Sequence, residues 1–218
     1  MPRLLFEKKG NAVWISHLDL MRLFQRSFKR SGLLLKHSQG YNPRPYVAVA
    51  LPLSVGVESG CELLDFDLDG ETVGNDRILS ALNESLTEGI RVLDVYDEGR
   101  KIKHLAFLDC IVSLIYDKGV PSGAREEIEQ LFRQDQLVVS KKGKNGPMEQ
   151  DIIPMIRRLE VQEQAREIRL CARVCCQNPS LNPMQLSAAV ARYLPQYTPD
   201  HEKSCRIEIY DTEENVFR

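Results

Sequence analysis

Leu64, Phe66 and Leu68 alternate with Asp65, Asp67 and Asp69, and this period of two narrows the fold more than any other feature of the chain. Successive side chains on a strand point to opposite faces, so Glu62–Leu68 predicts a half-buried β-strand with a solvated acidic face. Such a strand needs neighbours for its backbone and a layer over its apolar side. The flanking sequence offers both, in a definite order. Arg3–Lys8 reads as a strand and Gly10-Asn11 as a turn. Ser16 is placed to cap a helix, with Asp19 three residues on as in a capping box, and Ser31-Gly32 stops that helix after about Arg30. Leu33–Lys36 resumes an extended run that continues, beyond a loop, as Tyr46–Leu51. Asp76–Leu86 then suits a helix and Ile90–Tyr96 a strand. The order is β-α-β-β-α-β, the ferredoxin-like arrangement.

The second half repeats that order. Leu105–Tyr116 reads as a strand, Gly123–Phe132 as a helix and Leu137–Ser140 as a short strand. Glu167–Cys176 is a strand with Ile168, Leu170, Ala172, Val174 and Cys176 on one face, followed by a helix from Asn182-Pro183 to about Leu194 and a strand at Arg206–Tyr210. The polar stretch Asp97–His104 suits a linker. The expected fold class is therefore α+β, two tandem ferredoxin-like (βαββαβ) units with antiparallel sheets, one over residues 1–99 and one over 100–218. One insertion breaks the symmetry: SKKGKNGP (140–147) is a basic hairpin tip or a second polyanion contact, and EQDIIPMIRRLE after it has no counterpart in the first half.

No apolar run reaches the ~18–20 residues that span a bilayer, and MPRLLFEKKGN is too short in apolar residues for a signal peptide, so no membrane association and a cytoplasmic location are expected. Six cysteines in that setting are expected to be reduced. Cys175 and Cys176 would point to opposite faces of a strand, and Cys61, Cys110 and Cys205 sit among apolar strand residues, so no metal site is expected. The chain lacks a P-loop, GxGxxG, GxSxG and any cysteine triplet suited to an iron–sulfur cluster. No cofactor and no catalysis of its own are the resulting expectations.

Charge distribution points elsewhere. The chain carries −2 overall, yet residues 1–46 hold nine Lys/Arg against two Asp/Glu, while residues 47–104 hold five against twelve. A basic end of that kind attracts polyanions unless the acidic segment neutralises it across the fold. On the first helix His17, Met21, Phe24 and Phe28 share an apolar sector, with Arg22, Arg26, Lys29 and Arg30 opposite, either a solvated face or a phosphate-tracking stripe. The loop SQGYNPRPY offers Tyr41 and Tyr46 as stacking surfaces, Arg44 as a guanidinium fork and Asn42 in a turn, stiffened by Pro43 and Pro45. In LPLSVGVES, Ser54, Gly56 and Ser59 are a candidate anion-binding loop. His17 and His37 are structural histidines or general acid–base candidates beside a phosphodiester.

SHLDLMRLFQRSFKRSGLLLKHSQGYNPRP, ALPLSVGVES and CELLDFDL together resemble the radical SAM-associated (radical SAM-linked) family of uncharacterised bacterial proteins, also found as the C-terminal part of larger radical SAM proteins. His17, Asp19, Gly40, Asn42, Pro43, Pro45, Gly56 and Ser59 sit on the motif positions, whereas Tyr46 departs from the basic residues common there. The resemblance implies an accessory role beside a radical SAM enzyme, in a setting of RNA processing and ribosome-related genes. Tandem ferredoxin-like units also resemble RAMP-type RNA-processing proteins, whose metal-independent endoribonucleases use a Gly-rich loop near the C-terminus. This chain has no glycine after Gly146. The reading is thus an accessory RNA-binding or substrate-presenting module with a separate radical SAM protein as partner; the alternatives are a metal-independent endoribonuclease and a protein–protein adaptor.

Overall fold

The computed structural model describes residues 1–70, 72–143 and 146–218. The chain divides into two compact units, Met1–His104 with Arg218, and Leu105–Phe217.

The first unit runs β1 (Arg3–Lys8), α1 (His17–Arg30), β2 (Val47–Val49), β3 (Val57–Phe66), α2 (Asn75–Ser85) and β4 (Ile90–Tyr96). Its strands lie in the order β4-β1-β3-β2 and every pairing is antiparallel, which is the ferredoxin-like sheet. Ser16 caps α1 by accepting from the Asp19 N–H (3.2 Å). At the other end Gly32 adopts φ 71°, and Leu33 N–H donates to the Phe28 carbonyl (2.9 Å), the bond that closes a Schellman turn. The buried side of α1 drops Phe24 onto Phe6 (centroids 4.8 Å apart) and Phe28 onto Phe66 (5.1 Å). Leu4, Leu64, Ile78, Leu82 and Val92 complete this core.

Two buried cations shape the unit. Arg3, 2% exposed, grips Asp65 through Nε (2.5 Å) and Nη2 (3.1 Å) and donates also to the Arg100 carbonyl (2.9 Å). A Cβ at Gly99 would lie 2.5 Å from the Arg3 guanidinium carbon, so only glycine lets the backbone pass there. Asp65 is therefore not part of a solvated acidic face, as the alternation had suggested; the strand spends that carboxylate on a neighbour. Lys8 is 1% exposed, and Nζ donates to the carbonyls of Val13 (3.1 Å) and Ile15 (2.9 Å). Burial pulls its ammonium below the ordinary lysine value, opposed by the charge of Glu62. Those carbonyls belong to a 3₁₀ turn, Gly10–Trp14, and its exit, where the sequence had predicted a simple Gly-Asn turn.

In the second unit come β5 (Leu105–Ile115), α3 (Ala124–Leu131), β6 (Val138–Gly143), β7 (Gly146–Asp151), β8 (Ile156–Gln164), β9 (Glu167–Cys175), α4 (Met184–Tyr193) and β10 (His201–Asp211). The sheet order is β10-β5-β9-β8, again antiparallel throughout. This corrects one expectation. Leu137–Ser140 is not the second strand of the unit; β6 pairs only with β7, in a separate two-stranded hairpin. The missing strand is β8, drawn from the segment that appeared to lack a counterpart. Its signal is weak because it is a charged edge: Arg157, Arg158 and Glu160 are exposed, and a register shift between Ile156 and Arg158 breaks the alternation. Lys144 and Asn145, the tip of the basic connection, lie outside the described residues.

On one face of β9, Ile168, Leu170, Val174 and Cys176 are buried, as the periodicity requires. Burial pushes the Cys110 and Cys176 thiols up to about 12, which leaves them as inert core groups. The other face carries Arg173, which holds Asp109 through Nε (2.8 Å) and Nη2 (3.0 Å) and lies 3.7 Å over the Tyr210 ring. Burial raises the Asp109 carboxyl, but hydrogen bonds from Arg173 and Tyr210 and the charges of Arg173 and Arg158 outweigh it and leave it below the usual carboxylate range. A depressed folded-state pKa stabilises the fold above the unfolded value of ~3.9, and that contribution is lost as pH falls through the folded value. Asp109→Asn is thus expected to flatten the fall in urea midpoint below pH 4; an unchanged acid limb would mean that Asp109 does not govern it.

Candidate nucleic-acid interface

Of the nine cations in residues 1–46, most are engaged. Arg3 is held by Asp65, Lys8 by backbone carbonyls, Lys9 by Glu7 and Arg22 by Asp19 (2.9 Å). Lys36 pairs with Asp67 at 3.4 Å, so the acidic segment does neutralise part of the basic one. Arg30 donates to the Ser85 carbonyl (2.5 Å) and Ser27 Oγ (3.3 Å), fastening the end of α1 to the end of α2. Arg26, Lys29 and Arg44 are exposed and form no ion pair with a described residue. The stripe expected on α1 thus shortens to two residues.

Those two line a groove of about 450 Å³. Its lining is apolar: Leu34 and, from the far side of the SQGYNPRP loop, Pro45 present the accessible surface, over the buried Phe28, Leu33 and Leu35. Arg26, Lys29 and Gln25 stand on the helical rim and His37 on the other. The groove exists because the Schellman turn sends the chain back beside α1, while His37 and Pro45 bridge across the base of the loop. Ser38 N–H donates to the Arg44 carbonyl (2.8 Å) and Arg44 N–H to Ser38 Oγ (3.0 Å), which closes the loop into a fixed tip with Gly40 at φ 132°. Tyr41 stands out from that tip at 101% exposure, Asn42 is exposed, and Tyr46, 41% exposed, is tied by backbone bonds to Lys36 and Asp67. An apolar slot with two exposed cations on its rim and no carboxylate in its lining suits a planar ring system carrying phosphate.

Other expected site residues are not brought here. Gly56 N–H donates to the Val13 carbonyl (2.9 Å), and Ser59 is fully buried in β3, its Oγ accepting from Cys61 N–H (3.2 Å). Ser54 alone of that trio is exposed, so the three do not form an anion-binding loop. The strand starts at Val57, five residues before the acidic alternation that announced it, and takes Ser59 into the sheet. His17 opens α1, half-buried, with Nδ1 unbonded to any described residue. Nine helical residues separate it from Arg26, about 13 Å along the axis. The groove lining therefore includes His37 and not His17.

Two features escaped the sequence reading. A second concavity, of about 420 Å³, opens on the β5–β8–β9 face among Asp109, Arg158, Glu160 and Cys171, but its arginine is paired with Asp109 (2.8 Å). Trp14, the single tryptophan, is 71% exposed just ahead of α1. The sequence singled out no role for it.

Fold and groove define a tandem ferredoxin-like α+β protein with a cationic, apolar-lined cleft beside α1. The chain belongs to the family described as "Uncharacterized protein conserved in bacteria (DUF2344)", whose profile matches residues 2–183. No curated protein matches it. Among solved structures, a chain of "Crystal Structure of a Cbf5-Nop10-Gar1 Complex" is similar at a TM-score of 0.51 and 10% identity, over 95% of this chain and 48% of that one. This chain thus spans about half the length of that relative, and the likeness concerns the fold. "Crystal Structure of an Unknown Protein from Galdieria sulphuraria" aligns over 94% of this chain and 96% of that one at 11% identity, with a TM-score of 0.26. Among the described residues no helix is long and apolar enough to cross a membrane.

Proposed function

We propose that this chain is an accessory module that binds a single-stranded stretch of RNA in the groove beside α1 and presents it to a separate enzyme. The observation that carries the reading is the pairing of Arg26 and Lys29, neither ion-paired to a described residue, with an apolar lining whose accessible part is Leu34, 64% exposed, and the half-buried Pro45. Phosphates supply affinity through the two cations, and an unstacked base fills the slot; a duplex cannot offer that base without opening. Arg44 and Tyr41, held out on the closed loop, extend the same surface. The resemblance to radical SAM-associated proteins names the partner of this reading, a radical SAM enzyme that carries out the chemistry.

Anisotropy titration of a labelled octanucleotide, single-stranded and in duplex, tests this. The single strand is expected to bind more tightly than the duplex, and Arg26→Ala/Lys29→Ala to weaken it by about 10–100-fold, the scale of two charge-assisted contacts. Equal binding by wild type and the double variant would remove the groove as the site.

A further inference from the structure

We infer that Trp14 is a second stacking platform for the same strand, at the opposite end of α1 from the groove, so that the bound segment runs along the helix rather than ending in the slot. The inference rests on the reading above and adds a residue and a length to it.

The chain invests heavily in holding Trp14 outward. Lys8, among the most buried side chains in the protein, directs its ammonium at the carbonyls of Val13 and Ile15, the residues on either side of Trp14. Gly56 adds its N–H to the Val13 carbonyl (2.9 Å). Gly56 also has φ 84°, and a Cβ there would stand 3.4 Å from the indole, so the ring lies against bare backbone on one side. With its backbone pinned from two directions, the side chain still leaves 71% of its surface in water. A tryptophan fixed in place yet uncovered is a preorganised contact surface that loses little freedom when a ring stacks on it.

Trp14 lies three residues ahead of α1, and from the first turn of that helix to the groove one flank is continuous in phase. Leu18, 65% exposed, is on the first turn of α1, and at 100° per residue Leu18, Arg22, Gln25 and Lys29 share one flank with Arg26 beside them. From His17 to Lys29 the helix rises about 18 Å, which about five nucleotides cover at ~3.4 Å of rise each. Leu18 gives that flank exposed apolar surface near its start and Arg26 and Lys29 give it cations at the groove, while Arg22 between them is paired with Asp19 (2.9 Å).

Because Trp14 is the sole tryptophan, its emission reports directly on the platform. The probes are unlabelled oligoadenylates: a dinucleotide, an octanucleotide and an octanucleotide abasic throughout. Only the octanucleotide with bases is expected to quench Trp14, while the abasic strand binds by its phosphates without quenching. In filter retention Trp14→Ala is expected to lose about 5–150-fold in octanucleotide affinity, the range of one stacked base, with Trp14→Phe in between. Octanucleotide binding that leaves the emission unchanged, or that is equally tight in Trp14→Ala, would overturn the platform while leaving the groove intact. Binding of no oligonucleotide at all would overturn the groove and the platform together.

Discussion

Asp65→Ala is expected to lower the unfolding free energy by about 3–5 kcal/mol, read as a shift in urea midpoint at unchanged slope. Arg3 is 2% exposed and would lose the carboxylate that meets its guanidinium through two bonds, while its bond to the Arg100 carbonyl remains. The size of the effect measures that abandoned charge, not the worth of the pair, and replacing both members by apolar residues should cost far less. The exposed Arg22–Asp19 pair, at 64% and 60%, contributes little by comparison. A loss below 1 kcal/mol on removing Asp65 would show that water reaches Arg3 and that the first strand is not anchored as described.

Phe28→Ala carries the second large effect, about 3–5 kcal/mol. Phe28 is fully buried against Phe66 and also forms part of the groove floor, so one residue belongs both to the core and to the site. Phe28→Leu, which keeps most of the volume, should cost about 1–1.5 kcal/mol. Under folding conditions both variants are expected to bind the single-stranded octanucleotide more weakly than wild type, because either one loosens the packing that supports the groove lining from beneath. Full affinity in Phe28→Leu would separate the floor from recognition.

Much of this architecture was legible in the residues. Ser16, Asp19 and Gly32 mark both ends of α1, since capping is a local interaction that a short stretch of sequence encodes completely. The strands with one buried face, β1, β4, β5 and β9, announce themselves by alternation. β8 does not, because an edge strand gains from charges on every side and a register shift erases its period. The cationic stripe was half legible. Its residue types and helical phase are local, but Arg30 is claimed by the Ser85 carbonyl from α2 and Arg22 by Asp19, and partners brought in by the fold leave no local trace. Ser59 was misread for a related reason: a polar residue beside a Gly-rich turn looks like loop, while β3 in fact begins two residues earlier. Trp14 was not singled out, because its exposure depends on a backbone held by the buried Lys8, and that contact is identified only by its distances.

The most direct measurement is the salt dependence of single-strand binding. For wild type and for Arg26→Ala/Lys29→Ala, the affinity for the octanucleotide is followed from 50 to 200 mM salt. Each phosphate neutralised on a single strand contributes ~0.7 to the slope of log affinity against log salt, so the double variant should be shallower by about 1.4. Parallel lines for the two proteins would mean that neither cation meets a phosphate, and the groove beside α1 would not be where this protein holds RNA.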